Sequence, residues 1–305
     1  MIFTGINLIL AFSFYVPFKT GQVSLGQAGF MGIGAYASGI ITVKLGLPFP
    51  LGLVFGGVVS GIIGVIVGFP ALRIKGIYLL LLTLGFAQIM QVIALTWSYT
   101  GASDGFQGIP YQEHTLYYVY AIIVILLLFF HRLERSSLGR AMIAIHADEE
   151  AAEVMGVDVV RIKLLAFGLG AFIAGLAGCL FAHYTTYVDS LTFNILLGVE
   201  VLMFVVVGGG TTYLGPVLGT CFLTLLPEFL RTLRDWMEYI PIEWTDSYPW
   251  DVSYEFMYGF LDFENEKRLI VYGMILIAMM IVRPQGLLTR DTIHRIARLF
   301  GLGKQ

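Results

Sequence analysis

The sequence predicts an all-α protein: a polytopic transmembrane helical bundle of about eight to nine spans, with one short helix held in a cytoplasmic loop. Three observations predict it. Of 305 residues, 57% are hydrophobic and 13% charged, whereas soluble domains carry about a quarter charged residues. Apolar runs approaching the roughly 20 residues that a helix needs to cross the hydrocarbon core recur along the chain. Between two of these runs lies a polar, alanine-rich segment, Arg140 to Gly156, whose composition favours helix but not lipid. Backbone groups at membrane depth must be satisfied within a segment or shielded by protein, so the apolar runs are expected to be helical.

The first run, 2–18, has no basic residues before it and no small-residue cleavage site after it, and is expected to be a retained span. The second, 21–43, reads Gly21-Gln-Val-Ser-Leu-Gly26-Gln-Ala-Gly29-Phe-Met-Gly32-Ile-Gly34-Ala-Tyr36. That is too rich in glycine for a soluble helix, but in lipid small residues let backbones approach closely. Ser24, Ala28 and Gly32 then form one stripe at i, i+4. The string Gly32-Ile-Gly34-Ala-Tyr-Ala37 matches a dinucleotide fingerprint, yet no strand precedes it and no acid follows at the needed distance, so that reading is discarded. The third run, 50–69, repeats the spacing with Gly57 and Gly61, then Gly64 and Gly68. The fourth, 76–97, places Gln88 and Gln91 on one face at i, i+3. The fifth is 116–131.

A cytoplasmic loop, 132–162, follows. The sixth run, 163–185, carries the longest small-residue stripe: Ala166, Gly170, Ala174, Gly178 and Ala182. The seventh, 193–208, holds Glu200 near its middle, and the eighth, 212–230, pairs Gly215 with Gly219. A long loop, 231–268, contains nine acids against four bases and three tryptophans, Trp236, Trp244 and Trp250. These aromatics suit the headgroup level, or else a surface on which a soluble partner lands. The ninth run is 267–282, where Met274, Met279 and Met280 read as lipid-facing or core filler. The whole chain, 1–305, is expected to be a single transmembrane domain.

Orientation follows from the bases. With 132–162 in the cytoplasm, that side collects thirteen of 18 lysines and arginines, which places the N-terminus outside, the C-terminus inside and the acidic loop 231–268 outside. Cys179 and Cys221 lie in apolar runs and no disulfide is expected. No metal-ligand cluster, cofactor motif or P-loop is present; Gly301 to Lys304 lacks both the earlier glycine and the hydroxyl residue that a P-loop needs. The chain is therefore expected to be neither an enzyme nor an ATPase.

Five motifs occur in a fixed order: Gly21-Gln-Val-Ser-Leu-Gly-Gln-Ala-Gly-Phe-Met-Gly-Ile-Gly-Ala-Tyr36; Arg73-Ile-Lys-Gly-Ile-Tyr78; Glu150-Ala151-Ala152 with Gly156; Val207 to Gly219; and Arg283-Pro-Gln-Gly-Leu287. In this order they resemble permeases of the high-affinity branched-chain amino-acid ATP-binding-cassette importer family. Urea and short-chain amide permeases share the motifs. Members often carry further N-terminal hydrophobic sequence, and the acidic loop here is longer than the pattern.

The resemblance implies a multi-pass protein of the plasma (inner) membrane, with a second related permease, two cytoplasmic ATPase subunits and an extracytoplasmic solute-binding protein as partners. It implies a coupling helix at Glu150, Ala151, Ala152 and Gly156 that docks on an ATPase, the alternative being a solvated loop helix. Candidates for the solute path are the polar residues within spans: Glu200, Gln22, Ser24, Gln27, Gln88 and Gln91. Glu200 is the most pointed, since an acid at membrane depth costs roughly 2.5 kcal/mol or more; a hydrogen-bonded structural acid is its alternative. For the glutamines and Ser24 the alternative is hydrogen bonding between helices. His183 and Glu228, close to span ends, are expected at the interface, Glu228 with Arg231 at i+3. Gly32, Gly170, Ala174 and Gly178 are expected to pack helices. An ion-coupled secondary transporter would need several intramembrane charges and internal repeats, and a channel would need a filter sequence; neither is visible.

Overall fold

The computed structural model describes residues 1–72, 74, 76–238, 273, 274 and 277. Among them the only regular structure is helix, apart from one isolated antiparallel bridge between Phe106 and Val188. The helices are α1 (Ile2–Phe18), α2 (Gln27–Lys44), α3 (Phe49–Ala71), α4 (Ile77–Thr96), α5 (Thr115–Arg135), α6 (Ser137–Ala147), α7 (Glu149–Val154), α8 (Val159–Thr185), α9 (Ile195–Gly208) and α10 (Leu214–Glu238), with a 3-10 turn at Ser190–Phe193 before α9. Arg73 and Lys75, the acidic loop beyond Glu238, nearly all of the run 267–282 and the motif Arg283 to Leu287 lie outside the described residues. So do the side chains of Glu228 and Arg231.

Among the described residues, four helices are long and apolar enough to cross a membrane: α3, α4, α5 and α8. Helices α1, α9 and the Leu214–Pro227 part of α10 are apolar but shorter. Helix α2 differs from all of these. Its glycines and its polar residues Gln27, Ser38 and Thr42 reduce its apolarity, and 14 of its 18 residues are buried, so protein rather than lipid surrounds it.

Helix α8 is the hub, packing against α3, α2 and α1. Close approach explains why. A side chain on Gly178 would collide with the backbone of Met31 and Ala35 in α2, and one on Gly170 would sit 2.6 Å from the Ser13 carbonyl oxygen in α1. Ala166, Ala174 and Ala182, on the same stripe, have no exposed surface. Gly34 of α2 similarly abuts the backbone of Gly175. On the other flank of α8, Gly57, Gly61, Gly64 and Gly68 of α3 face Leu176, Phe172, Ala171 and Phe167. One hydroxyl ties three helices together: Ser60 Oγ lies 2.8 Å from the Ala171 carbonyl and 3.0 Å from that of Phe30. Such interhelical bonds are worth about 0.6 to 2 kcal/mol each in a membrane.

Two expectations are corrected. The second span does not begin at 21: α2 starts at Gln27, and Gly21 to Gly26 is non-helical. Gly21, at φ +76°, turns the chain in the left-handed region that glycine enters at least cost. The freed backbone groups find side-chain and carbonyl partners instead: Gln22 N–H donates to the Pro17 carbonyl, Leu25 N–H to Thr83 Oγ1 at 3.0 Å, and Gly26 N–H to Ser24 Oγ. Ser24 therefore shares no helical stripe with Ala28 and Gly32. His183, expected at the interface, is instead fully buried. Its Nδ1 lies 2.9 Å from the Cys179 carbonyl and its Nε2 3.1 Å from Thr42 Oγ1, with the ring edge-on to Phe49, so both polar atoms are satisfied inside the bundle. Beyond these, α10 continues to Glu238, so the first eight positions of the expected loop 231–268 carry helical backbone.

Candidate functional site

The loop 132–162 folds as α6 and α7 at one end of the bundle. Its sequence contains the caps that this requires. Ser136 Oγ accepts from Gly139 N–H to start α6, Asp148 Oδ1 accepts from Ala151 N–H at 3.0 Å to start α7, and Asp158 Oδ1 accepts from Arg161 N–H to start α8. Glu150 and Ala151 are exposed, while Ala152 is buried against the bundle. Helix α7 stops because Gly156 adopts φ +85°, a left-handed terminus of the kind that ends many helices. Nothing lies within 4 Å of a Cβ built there, so the turn stands clear of the bundle. Val154 and Met155 beside it are 87% and 84% exposed, an apolar tip that the described residues leave uncovered.

This end is tied to the spans by contacts between residues far apart in sequence. Lys163 of α8 pairs with Glu149 of α7 at 2.7 Å. His146 of α6 meets the Phe18 carbonyl at the end of α1 at 3.0 Å. Glu134 of α5 accepts on one carboxylate oxygen from Lys19 Nζ (2.8 Å), the Tyr15 hydroxyl (2.7 Å) and Tyr213 N–H (3.1 Å), and Lys19 also donates to the Thr211 carbonyl. That cluster joins α1, α5 and the α9–α10 connection. Reading the sequence missed it as a unit, for the only signal was an acid, a base and two tyrosines scattered over almost 200 positions.

The polar path candidates do not form one lining. Gln22, Ser24 and Gln27 come together on the non-helical segment and first turn of α2, all buried. Thr20 Oγ1 lies 3.1 Å from Gln22 Oε1, and Gln27 Nε2 donates to the Ser13 carbonyl at 3.4 Å, while Gln27 Oε1 is buried without a partner among the described residues. Ser13 lies five residues before the end of α1 and Thr83 six after the start of α4. At 1.5 Å per residue, α2 therefore begins roughly 8 Å inside the bundle from the α6–α7 end. Gln91 and Gly32 lie on the wall of a chamber between α2, α3 and α4, and Gln88 is half-buried away from it. Glu200 is the sixth residue of α9 and half-buried. Gly32 faces the Phe193 ring, 3.1 Å from a built Cβ.

The sequence profile of the family described as branched-chain amino acid transport system / permease component matches residues 1–280. The chain is 31% identical, over 318 aligned positions, to the high-affinity branched-chain amino acid transport system permease protein LivM of Salmonella typhimurium strain LT2, and equally to LivM of Escherichia coli strain K12. Each alignment covers 93% of this chain and 66% of the relative, so the chain spans just under two thirds of their length. It is 24% identical to the ribose import permease protein RbsC of Haemophilus influenzae, over 75% of this chain and 73% of that one. No solved structure matches the chain.

Proposed function

The chain belongs to the permease family of branched-chain amino acid transport systems, and from that premise we propose that it is the membrane-spanning subunit of an ATP-driven importer for branched-chain or related amino acids. The observation that carries this reading is the family match over residues 1–280, supported by the two LivM relatives. In this reading an external binding protein delivers the solute, a second related permease completes the path, and two separate cytoplasmic subunits hydrolyse ATP. About eight to nine spans cross the inner membrane, with the N-terminus outside and the α6–α7 end in the cytoplasm.

Helix α7 and its turn, Glu150, Ala151, Ala152 and Gly156, form the element that docks on an ATPase, Ala152 seating it on the bundle and its apolar tip Val154 and Met155 meeting a cleft there. When ATP closes the ATPases, α7 moves with them, and two links carry the motion inward: Glu149–Lys163 to α8 and His146–Phe18 to α1. The two permeases then re-expose the path to the other side as rigid bodies. Glu200, Gln22, Ser24, Gln27, Gln88 and Gln91 are the polar residues proposed to line that path, which binds weakly so that it releases.

Replacing Gly156 tests the docking surface. Because this position requires a positive φ, Gly156→Trp reshapes the turn without a clash against the bundle. In proteoliposomes holding the complete complex, ATP hydrolysis is expected to persist while uptake of labelled leucine falls about tenfold or more. Wild-type uptake by the variant at equal incorporation would remove α7 from the coupling.

A further inference from the structure

A chamber of about 200 Å³ lies between the stretch Gly29 to Ile40 of α2, the C-terminal part of α4, the flank of α3 and the turn Ser190–Phe193, which follows the end of α8 opposite α6 and α7. Its walls are mainly aliphatic and aromatic, among them Ile33, Ile40, Val59, Ile63, Met90 and Phe193, with Gln91 and Thr100 as polar members. Into this apolar space the sequence introduces Tyr36. The residue is 7% exposed, and its buried hydroxyl has no hydrogen-bond partner among the described residues. Buried hydroxyls are nearly always paired, so an orphan at the wall of a cavity asks for a partner. Ser190 also lines the chamber. Its neighbour Asp189 caps the turn, accepting from Leu191 N–H at 3.2 Å and from Ser190 Oγ at 3.4 Å, which sets its carboxylate beside a residue of the chamber wall.

We propose that this chamber is a transit subsite for an aliphatic amino acid: the branched side chain fills the apolar space, the Tyr36 hydroxyl donates to the α-carboxylate, and Asp189 receives the ammonium group. The size fits, since an apolar cavity of about 150 Å³ is enough to take up benzene, and a four-carbon branched side chain with its polar head at the rim needs little more. The polar rim argues against a lipid acyl chain, which would fill the walls but leave the Tyr36 hydroxyl unpaired. In the orientation proposed above, the subsite stands on the outer half of the path, where a binding protein would release its cargo. The inference rests on the importer reading and adds the place where the side chain is sensed.

The test uses the complete complex in proteoliposomes with saturating loaded binding protein, measuring uptake of labelled L-leucine and L-alanine in parallel. Ala37 lines the chamber, and Ala37→Phe fills it; leucine uptake is expected to fall about tenfold more than alanine uptake. Met90→Ala enlarges the same space and should raise uptake of L-phenylalanine relative to leucine severalfold. Tyr36→Phe, which removes only the hydroxyl, should slow both amino acids about equally, by roughly tenfold, with assembly unchanged. Should Ala37→Phe fail to assemble, the phenylalanine-to-leucine ratio in Met90→Ala decides alone. Selectivity identical to wild type in a leucine-importing complex would overturn the chamber and assign it to a lipid chain or to packing. A wild-type complex that imports neither leucine nor alanine would instead overturn the functional reading itself.

Discussion

Glu134 accepts three hydrogen bonds on one oxygen, and this makes it the residue whose loss should be felt most widely. Glu134→Ala takes the carboxylate acceptor from the Lys19 ammonium, only 9% exposed, and from the Tyr15 hydroxyl. Removing one partner of a buried ion pair costs about 3 kcal/mol or more; with Glu134 itself 20% exposed, the lower end is expected. Thermal unfolding of the solubilised chain measures it, and a midpoint within a degree of wild type would show the cluster to be ornamental. Glu200 poses a different question. If it shapes the path, Glu200→Gln keeps size and much hydrogen bonding but loses the ionisable proton, so uptake per assembled complex should fall about tenfold while assembly holds. A ratio that stays flat across Gln, Ala and Leu at this position would leave it a scaffold residue. Glu200 stood out in the sequence because an acid inside an apolar run is visible locally. Glu134 did not, because it and its partners come from three segments whose meeting only the fold decides.

At the scale of elements, small-residue spacing was the legible signal. Gly170, Ala174 and Gly178 recur at i, i+4, and a helix converts that recurrence into a face whatever it packs against, so α8's contacts with α1 and α2 follow the spacing. Enlarging this face should break it: Gly178→Leu, aimed at the α2 backbone, and Gly170→Leu, aimed at the Ser13 carbonyl, are expected to abolish co-purification of the partner subunits, because backbone cannot yield as a side-chain tip can. Recovery of assembled, transporting complex with both variants would refute the packing face. The start of α2 was not legible. Glycine spacing continues unbroken from 21 to 34, and only Thr83 and the carbonyls at the end of α1 decide that the backbone before Gln27 is held by other partners.

For the whole molecule, charge asymmetry set an expected orientation that single cysteines can check. In a background lacking Cys179 and Cys221, Val154→Cys should react with an impermeant maleimide only after the inner membrane is opened, and Thr186→Cys, at the far end of α8, in intact spheroplasts. The reverse pattern would invert the topology and with it the roles given to the two ends. The burial of α2 also has a consequence for how the chain is made. Its neighbours are α3 and α8, and α8 begins 115 residues after α2 ends, Val159 against Lys44. At ordinary synthesis rates of about 5 to 20 residues per second, that is a delay on the order of 10 seconds. Through that interval the nascent chain holds a helix shaped for protein contact, with the backbone at Gly34, Met31 and Ala35 awaiting Gly175 and Gly178 of α8. Such an intermediate invites a membrane chaperone or a quality-control protease, and ribosome-stalled chains ending between Lys44 and Val159 should be cleared far faster than chains that include α8.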